Sequence, residues 1–242
     1  MTPRRTITPG RDRVRQNRRV LLWSLTALPL LLIMASRSGS DDVLALIVLG
    51  GISFSLFSIA PARRSGFVGE ERTLEYLSQA LPGGYVVMNQ IEVPNARSRT
   101  GFTEIDAVVI GPAGVFTVEV KNNAGEVFGG DEHARSWAVK KIGRRGGTYN
   151  STMRNPIRQA LSQTMTLKAY LAACGIKAWV QPVVVKANPD SVWHVGQTRG
   201  VPVVAAEDAA MQCLVMRGNG RRLAPEKVAA IQHAVYALKS PG

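Results

Sequence analysis

Two long stretches without charged side chains, both near the N-terminus, place the strongest constraint on the fold. Residues 20–36 and 43–62 are 17 and 20 residues long and contain no Asp, Glu, Lys or Arg. At about 1.5 Å per residue, helices of these lengths would reach roughly 25 and 30 Å, close to the hydrocarbon thickness of about 30 Å. Only six residues join them. The pattern therefore predicts a tight hairpin of two transmembrane helices over residues 20–62.

The arginines that flank these stretches predict the orientation of the hairpin in the membrane. Seven Arg precede the first stretch and two directly follow the second, whereas the linker carries one Arg beside two Asp. The positive-inside rule then places both ends of the hairpin in the cytoplasm. We expect a two-span protein of the cell membrane, with a basic N-terminal tail over residues 1–19 and a C-terminal domain, both cytoplasmic. A cleaved signal peptide in the first stretch, or two buried soluble helices, are the alternatives.

The charge distribution limits what the basic composition can mean. The net charge is +13, of which the first 64 residues carry +7 and the remainder +6. More than half of the excess is thus explained by membrane topology rather than by nucleic acid. A hydrophobic content of 45% excludes a disordered polyelectrolyte, and two cysteines exclude a disulfide scaffold or a cysteine-rich zinc module.

The region from residue 66 to residue 242 has a mixed α/β pattern. Leucines at helical spacing, a Gly-Pro-Ala-Gly turn and an Asn-Pro helix start predict a core over residues 66–187. Its elements are a helix at 68–81, strands at 85–93, 103–110 and 115–121, a helix at 155–173 and a strand at 179–186. Residues 125–149 are predicted to be loop-rich, with a short strand at 136–142. A strand at 201–204 and helices at 207–216 and 224–239 follow.

The turn at residues 111–114 predicts the register of the second and third strands. Ile110 then pairs with Val115, so Asp106 lies opposite Glu119. Because side chains alternate between faces, Glu119 and Lys121 share one face, and Asp106 joins them there. Opposed carboxylates repel each other unless a cation lies between them or one is protonated. The three residues therefore predict either a Mg²⁺ or Mn²⁺ site with a nearby lysine, or a structural ion cluster at the edge of a sheet.

Two helices supply further candidates. Glu70 lies on the same helical stripe as Leu74, Leu77 and Leu81 and is expected to point toward the core. The alternative is a carboxylate that complements the helix dipole. On the long helix a polar stripe is expected either to contact a phosphate or metal-bound water, or to face solvent. It comprises Gln159, Gln163, Thr166 and Tyr170.

Several stretches together resemble the nuclease-related domain (NERD) family, a branch of the PD-(D/E)xK restriction-endonuclease-like nucleases. They are GFVGEERTLEYL (66–77), TEIDAVVIGPAGVFTVEVKNNAG (103–125), Trp137 and NPIRQ (155–159). The resemblance covers residues 66–171 and, more weakly, 179–186. It implies a restriction-endonuclease-like αβββαβ core with a central mixed sheet, preceded here by the two transmembrane helices.

The resemblance also implies roles for individual residues. Asp106 and Glu119 would bind the metal, Lys121 would be the catalytic lysine, and Glu70 and Gln159 would be accessory residues, with Glu70 supporting the metal. One difference concerns the family's frequent Gln-Ile-Asp-His, which here reads Glu-Ile-Asp-Ala (104–107). The extra Glu104 is expected opposite Lys121, where it would compete for the lysine.

The sequence therefore predicts a membrane-anchored, metal-dependent nuclease that acts on DNA. A cluster of Lys140, Lys141, Arg144 and Arg145 between glycines is expected to bind phosphates or to form a solvated loop. The alternative function is a catalytically silent membrane-anchored module that binds nucleic acid or a protein partner. Salt-dependent DNA binding without metal-dependent cleavage distinguishes the second from the first.

Overall fold

The computed structural model describes residues 68–129, 133–143, 146–214 and 222–239, together with Gly66 and Thr6–Ile7. The two predicted membrane spans, and all of the predicted basic tail except Thr6–Ile7, lie outside these residues. Within the described ranges, no helix has both the length and the apolar character needed to cross a bilayer.

Along the described chain, six consecutive strands lie between the first two helices, and three more strands follow the second helix. The strands are β1 (Thr6–Ile7), β2 (Val86–Pro94), β3 (Phe102–Gly111), β4 (Gly114–Lys121), β5 (Glu126–Gly129), β6 (Ser136–Ile142), β7 (Thr148–Arg154), β8 (Val180–Lys186), β9 (Val192–Val195) and β10 (Val203–Ala205). The helices are α1 (68–80), α2 (Pro156–Ala173), α3 (Ala209–Leu214) and α4 (Pro225–Ala237). The predicted αβββαβ order is present as α1, β2, β3, β4, α2 and β8.

The central sheet is mixed, as predicted. Its strand order is β1-β2-β3-β4-β8-β10, with antiparallel pairing from β2 to β4 and parallel pairing between β1 and β2, between β4 and β8 and between β8 and β10. The parallel β4–β8 pair matters most for the site, because both strands end at the same edge, at Lys121 and Lys186.

Helices cover both faces of this sheet. On one face, α1 and α3 pack on a cluster that includes Ala107, Val109 and Phe116. On the other face, α2 and α4 pack on a cluster that includes Val108 and Ile110. Burial on both faces explains why β3 and β4 are nearly continuous apolar runs rather than alternating ones.

Local sequence signals account for the helix positions. Leu74, Leu77 and Leu81, at successive turns, are buried in the first cluster, which confirms the predicted core stripe of α1. At the start of α2, the side chain of Asn155 accepts hydrogen bonds from the backbone N–H groups of Ile157 and Arg158 at 3.0 and 3.3 Å. Asn155 therefore caps the helix and Pro156 occupies its first turn, as their types indicate.

A second sheet corrects the prediction that residues 125–149 are mostly loop. Its strand order is β7-β6-β5-β9, and only β6 was predicted, with the observed bounds. The strands β5 and β9 are four residues long and pair with each other in parallel from distant parts of the chain. Strand β7 is largely polar and exposed. Short strands with polar faces lack the hydrophobic periodicity that sequence reading depends on.

Candidate functional site

The candidate site lies where β3 and β4 separate. Their turn has the predicted register, with Ile110 opposite Val115, and pairing continues to Ala107 opposite Val118. Beyond that pair, β3 continues only on β2 and β4 only on β8. The expected backbone pairing of Asp106 with Glu119 is therefore absent from the ladder. We call this end of the hairpin the fork.

Asp106 occupies the fork itself. Its Oδ2 accepts a hydrogen bond of 2.7 Å from the backbone N–H of Val120, so its carboxylate satisfies a donor that the separating strands leave without a ladder partner. Burial, followed by the negative charges of Glu119 and Glu70, raises the pKa of Asp106 well above its usual range. The hydrogen bond from Val120 and the charge of Lys121 act in the opposite direction.

Glu119 is the most deeply buried acid at the fork, with 1% of its side chain exposed. Its Oε1 accepts a hydrogen bond from Lys121 Nζ, so the two side chains form an ion pair on the same side of β4. Its Oε2 accepts a bond of 2.5 Å from Nε2 of Gln163 on α2. Gln163 also donates to the backbone carbonyl of Glu104 at 3.0 Å, which ties α2 to both strands of the fork.

Glu70 reaches the fork from the first turn of α1. Its Oε2 accepts a hydrogen bond of 3.4 Å from Nε2 of Gln90. Burial is the main cause of a raised pKa for Glu70, and repulsion by Glu104 and Glu119 adds to it. Glu70 is half-buried whereas Glu71 and Glu75 are exposed, which agrees with the expected orientation of Glu70 toward the core.

Gln90 was not identified from the sequence, although its backbone is unusual. Its φ of 50° lies in the left-handed region, where a non-glycine residue is uncommon and strained. The β2–β3 ladder skips the pair of Gln90 and Asp106. Strict alternation would place Ile105 on the same face of the sheet as Ala107. Instead, Ile105 packs on the other face, in the cluster that includes Val108. The strain thus lies directly beside Asp106, at the point where the alternation of β3 side chains between the two faces of the sheet is interrupted.

Gln163 was recognised only as one member of a polar stripe. The structure places one member of this stripe in the interior, because Gln163 is buried and bonds Glu119, whereas the other three members are half-buried. Tyr170 donates a hydrogen bond to the carbonyl of Ala234 at 2.9 Å. Gln159, one turn before Gln163, is half-buried. The side-chain oxygens of Gln159 and Gln163 are buried and have no hydrogen-bond partner in the part of the chain that the structure describes.

The predicted basic cluster is only partly described. Lys140 is exposed on β6 and Lys141, beside it, is half-buried. Arg144 and Arg145 lie outside the described residues. Their contact with nucleic acid stays a prediction.

The donor set at the fork fits a hard divalent cation in part. Mg²⁺ is usually bound by one or two carboxylates with waters completing the shell, and Asp106 and Glu119 supply two. A cation there would also relieve the repulsion that raises the pKa of Asp106. Among the described residues, however, no group of three or more His, Cys, Asp and Glu side chains is placed to hold a metal. Lys121 and Gln163 presently occupy both oxygens of Glu119.

An α/β fold with mixed sheets fits a nuclease-like domain. The chain belongs to the nuclease-related domain family, whose description matches residues 65–187, about half of the sequence. An uncharacterized protein of Bacillus anthracis is 35% identical to this chain over 94 residues, which cover 39% of the chain and 41% of that relative. The chain thus matches less than half the length of this relative. No solved structure matches the chain.

Proposed function

We propose that the protein is a membrane-anchored, divalent-metal-dependent nuclease with a restriction-endonuclease-like core that hydrolyses phosphodiester bonds in DNA. The observation that carries the proposal is the fork. There a half-buried Asp106 lies within electrostatic range of a Glu119–Lys121 ion pair, at the edge of the sheet where two parallel strands end. Ligand sites in open α/β sheets favour this carboxyl edge.

In this proposal Asp106 and Glu119 would hold Mg²⁺ or Mn²⁺, and Glu70 would support it from α1. A bound divalent cation supplies a Lewis acid that stabilises charge on a phosphoryl oxygen and activates water for attack. Gln163 keeps one oxygen of Glu119 fixed, so that the carboxylate is oriented before the cation arrives. Gln159, with its buried side-chain oxygen, offers a hydrogen-bond acceptor for water or substrate.

Lys121 is the cationic group of the proposed reaction. Its side chain is 19% exposed, whereas that of its partner Glu119 is almost completely buried. The lysine side chain is therefore partly accessible to solvent, unlike that of its partner. With a cation held at Glu119, Lys121 would orient the attacking water or balance negative charge on the phosphate. Lys140, Lys141, Arg144 and Arg145 would bind flanking phosphates.

The membrane anchor is a separate part of the proposal and rests on the two uncharged stretches of the sequence. Both spans would hold the nuclease-related domain at the cytoplasmic side of the cell membrane. The full chain should then remain in the membrane fraction after alkaline carbonate extraction. Release into the supernatant would contradict anchoring and leave the nuclease proposal unaffected.

One observation favours the second candidate, a catalytically silent module that binds nucleic acid or a protein partner. Lys121 and Gln163 satisfy both oxygens of Glu119 without any metal, so the cluster forms a self-contained ion pair. In that case DNA binding would fall with salt, since phosphate contacts release counterions, and no cleavage would follow addition of metal.

The deciding experiment is cleavage of plasmid and single-stranded DNA by the purified full chain in Mg²⁺ or Mn²⁺. Asp106→Ala and Lys121→Ala should each lower the rate at least about 100-fold, as expected for groups that stabilise developing charge. Glu71→Ala, an exposed acid one residue from Glu70, serves as the control and should cleave normally. Equal cleavage by the wild type and the two fork variants would mean a contaminating nuclease.

A further inference from the structure

The second sheet turns one face to solvent, and this face carries an unusual set of side chains. Its inner face packs Val127, Trp137, Val139 and Met153 into a hydrophobic cluster with the start of α2. On the opposite side, the outer face, the described exposed residues include Phe128, Ala138, Lys140, Asn150, Thr152 and His194. Exposed positions of a sheet normally carry polar side chains, so an aromatic ring there calls for an explanation.

Phe128 and His194 form a stacked aromatic pair on the outer face. They are register neighbours on β5 and β9, and their ring centroids lie 4.9 Å apart with an interplanar angle of 15°. The neighbour of Phe128 on its other side is Ala138, whose methyl group is too small to cover a ring. Phe128 is 43% exposed. One face of its ring is therefore covered by His194, and the other is open to a further flat group.

Cationic side chains lie on the same face. Lys140 and Arg154 are exposed there, against a single described acid, Glu126, which lies opposite Lys140 across the β5–β6 pair. Asn150 and Thr152 add hydrogen-bonding groups between them. An open aromatic ring between cations and polar groups suits a ligand that has both flat rings and phosphates.

The outer face is close along the chain to the fork. Strand β5 begins five residues after Lys121, which is about 17 Å of extended chain at most. Strand β9 follows β8 in the same way, and backbone bonds tie the two connections together, from Ala187 N–H to the carbonyl of Lys121 and from Val192 N–H to the carbonyl of Gly125. The second sheet therefore continues from the edge at which Lys121 lies.

We propose that the outer face binds unpaired nucleic acid, with one base stacked on the open side of Phe128 and the neighbouring phosphates at Lys140 and Arg154. Stacking on an aromatic ring needs an unpaired base but little particular sequence. The inference builds on the proposed nuclease function and adds its substrate class: single strands, or duplex regions whose ends are open. A strand held here would lead toward the fork.

The test measures binding without cleavage. Fluorescence anisotropy in EDTA measures binding of the full chain to a short labelled DNA single strand that cannot pair with itself. Binding to a duplex of the same length is measured for comparison. Phe128→Ala should weaken single-strand binding at least about fivefold, the low end for loss of one stacked base. Duplex binding should change little. Phe128→Tyr, which keeps the ring, should bind like the wild type.

Two further variants keep the test decisive. Ala138→Leu fills the space beside Phe128 without removing its ring and should weaken single-strand binding in the same way. Trp179→Ala removes an exposed aromatic ring that lies by Lys168, away from this sheet, and should have no effect. The proposal is overturned if Phe128→Ala and Ala138→Leu bind the single strand as the wild type does, or if Trp179→Ala weakens it equally.

The proposed binding surface and the proposed nuclease activity can be refuted independently. A wild type that binds single strands through Phe128 in EDTA but cleaves nothing with metal would end the nuclease proposal and leave this surface standing. A wild type that cleaves through Asp106 and Lys121, with no contribution from Phe128 to binding, would do the reverse.

Discussion

At its turn end, the β3–β4 hairpin is fully paired and apolar, whereas at the fork the same two strands separate around charged side chains. Val109, Ile110 and Val115 are completely buried at the turn, where Gly114 adopts a φ of 140°. At the other end Asp106 and Glu119 are desolvated acids that repel each other. One short hairpin thus combines a stabilising end with a destabilised one.

The difference teaches where stability and chemistry reside in this domain. Carboxylates with raised pKa values weaken the folded state at neutral pH, and functional sites commonly carry such a cost. The regular pairing and tight packing of the turn end, covered by helices on both faces, offset it. Changes at the two ends should therefore affect different quantities: folding at the turn, and cation or substrate binding at the fork.

The largest expected effect is on folding, at the turn end. Phe116→Ala removes a ring that is 1% exposed within the cluster beneath α1, and should lower the free energy of unfolding by about 3–5 kcal/mol. Urea unfolding of the full chain measures it. Tyr149→Ala, which removes a ring that is 53% exposed, is the control and should change stability by less than about 0.5 kcal/mol. Similar losses in both variants would mean that the turn end is not specially stabilising.

A smaller effect is expected where α2 meets the fork. Gln163→Leu removes the donor to Glu119 and to the carbonyl of Glu104 while keeping a similar volume. The free energy of unfolding should fall by about 1.5–3 kcal/mol, as for the loss of hydrogen bonds to charged groups. It should also raise the Mn²⁺ concentration needed for half-maximal thermal stabilisation by about 10- to 100-fold, the usual cost of losing a group that orients a metal ligand.

A matched variant separates this positioning role from general destabilisation. Thr164→Val, at the next position of α2, removes the neutral hydroxyl pair of Thr164 and Thr117 at 2.6 Å. It should cost about 1 kcal/mol and leave the Mn²⁺ dependence unchanged. If Gln163→Leu and Thr164→Val shift the Mn²⁺ dependence equally, Gln163 does not position Glu119.

The same contrast marks how far the sequence could lead. The turn register followed from Gly111 and Gly114 and the apolar runs beside them, because a short turn fixes which residues pair. The separation of the strands at the fork could not be predicted in this way, because extending the register from the turn assumes that both strands remain paired. Its cause lies elsewhere in the chain, in the backbone of Gln90 and in the parallel partner β8.

Gln163 and the second sheet show the same limit. The sequence indicated a polar stripe on α2, yet the buried partner Glu119 lies 44 residues away, so only the fold decides between interior and solvent. Strands β5 and β9 become recognisable only when they pair. The membrane hairpin, by contrast, is a purely local signal, and it stays a prediction because residues 20–62 lie outside the described part of the chain.

The smallest expected effect is a gain in stability at the fork, and it depends on pH. Asp106→Asn keeps an acceptor for the N–H of Val120 but removes the charge. Since the pKa of Asp106 is raised in the folded state, that state retains a proton which the unfolded chain has already released. Wild-type stability therefore falls as the pH rises from the ordinary aspartate value, about 3.9, through the raised value.

The substitution removes this penalty, so Asp106→Asn should unfold at a higher temperature than the wild type at neutral pH in EDTA, and the difference should disappear near pH 4. Mn²⁺ should reverse the order, because a cation at the fork stabilises the charged carboxylate that only the wild type has. Thermal unfolding across pH, with and without Mn²⁺, measures both effects. A wild type that is the more stable of the two at neutral pH in EDTA would show that Asp106 is stabilising as an anion. The contrast between the two ends of the hairpin would then fail.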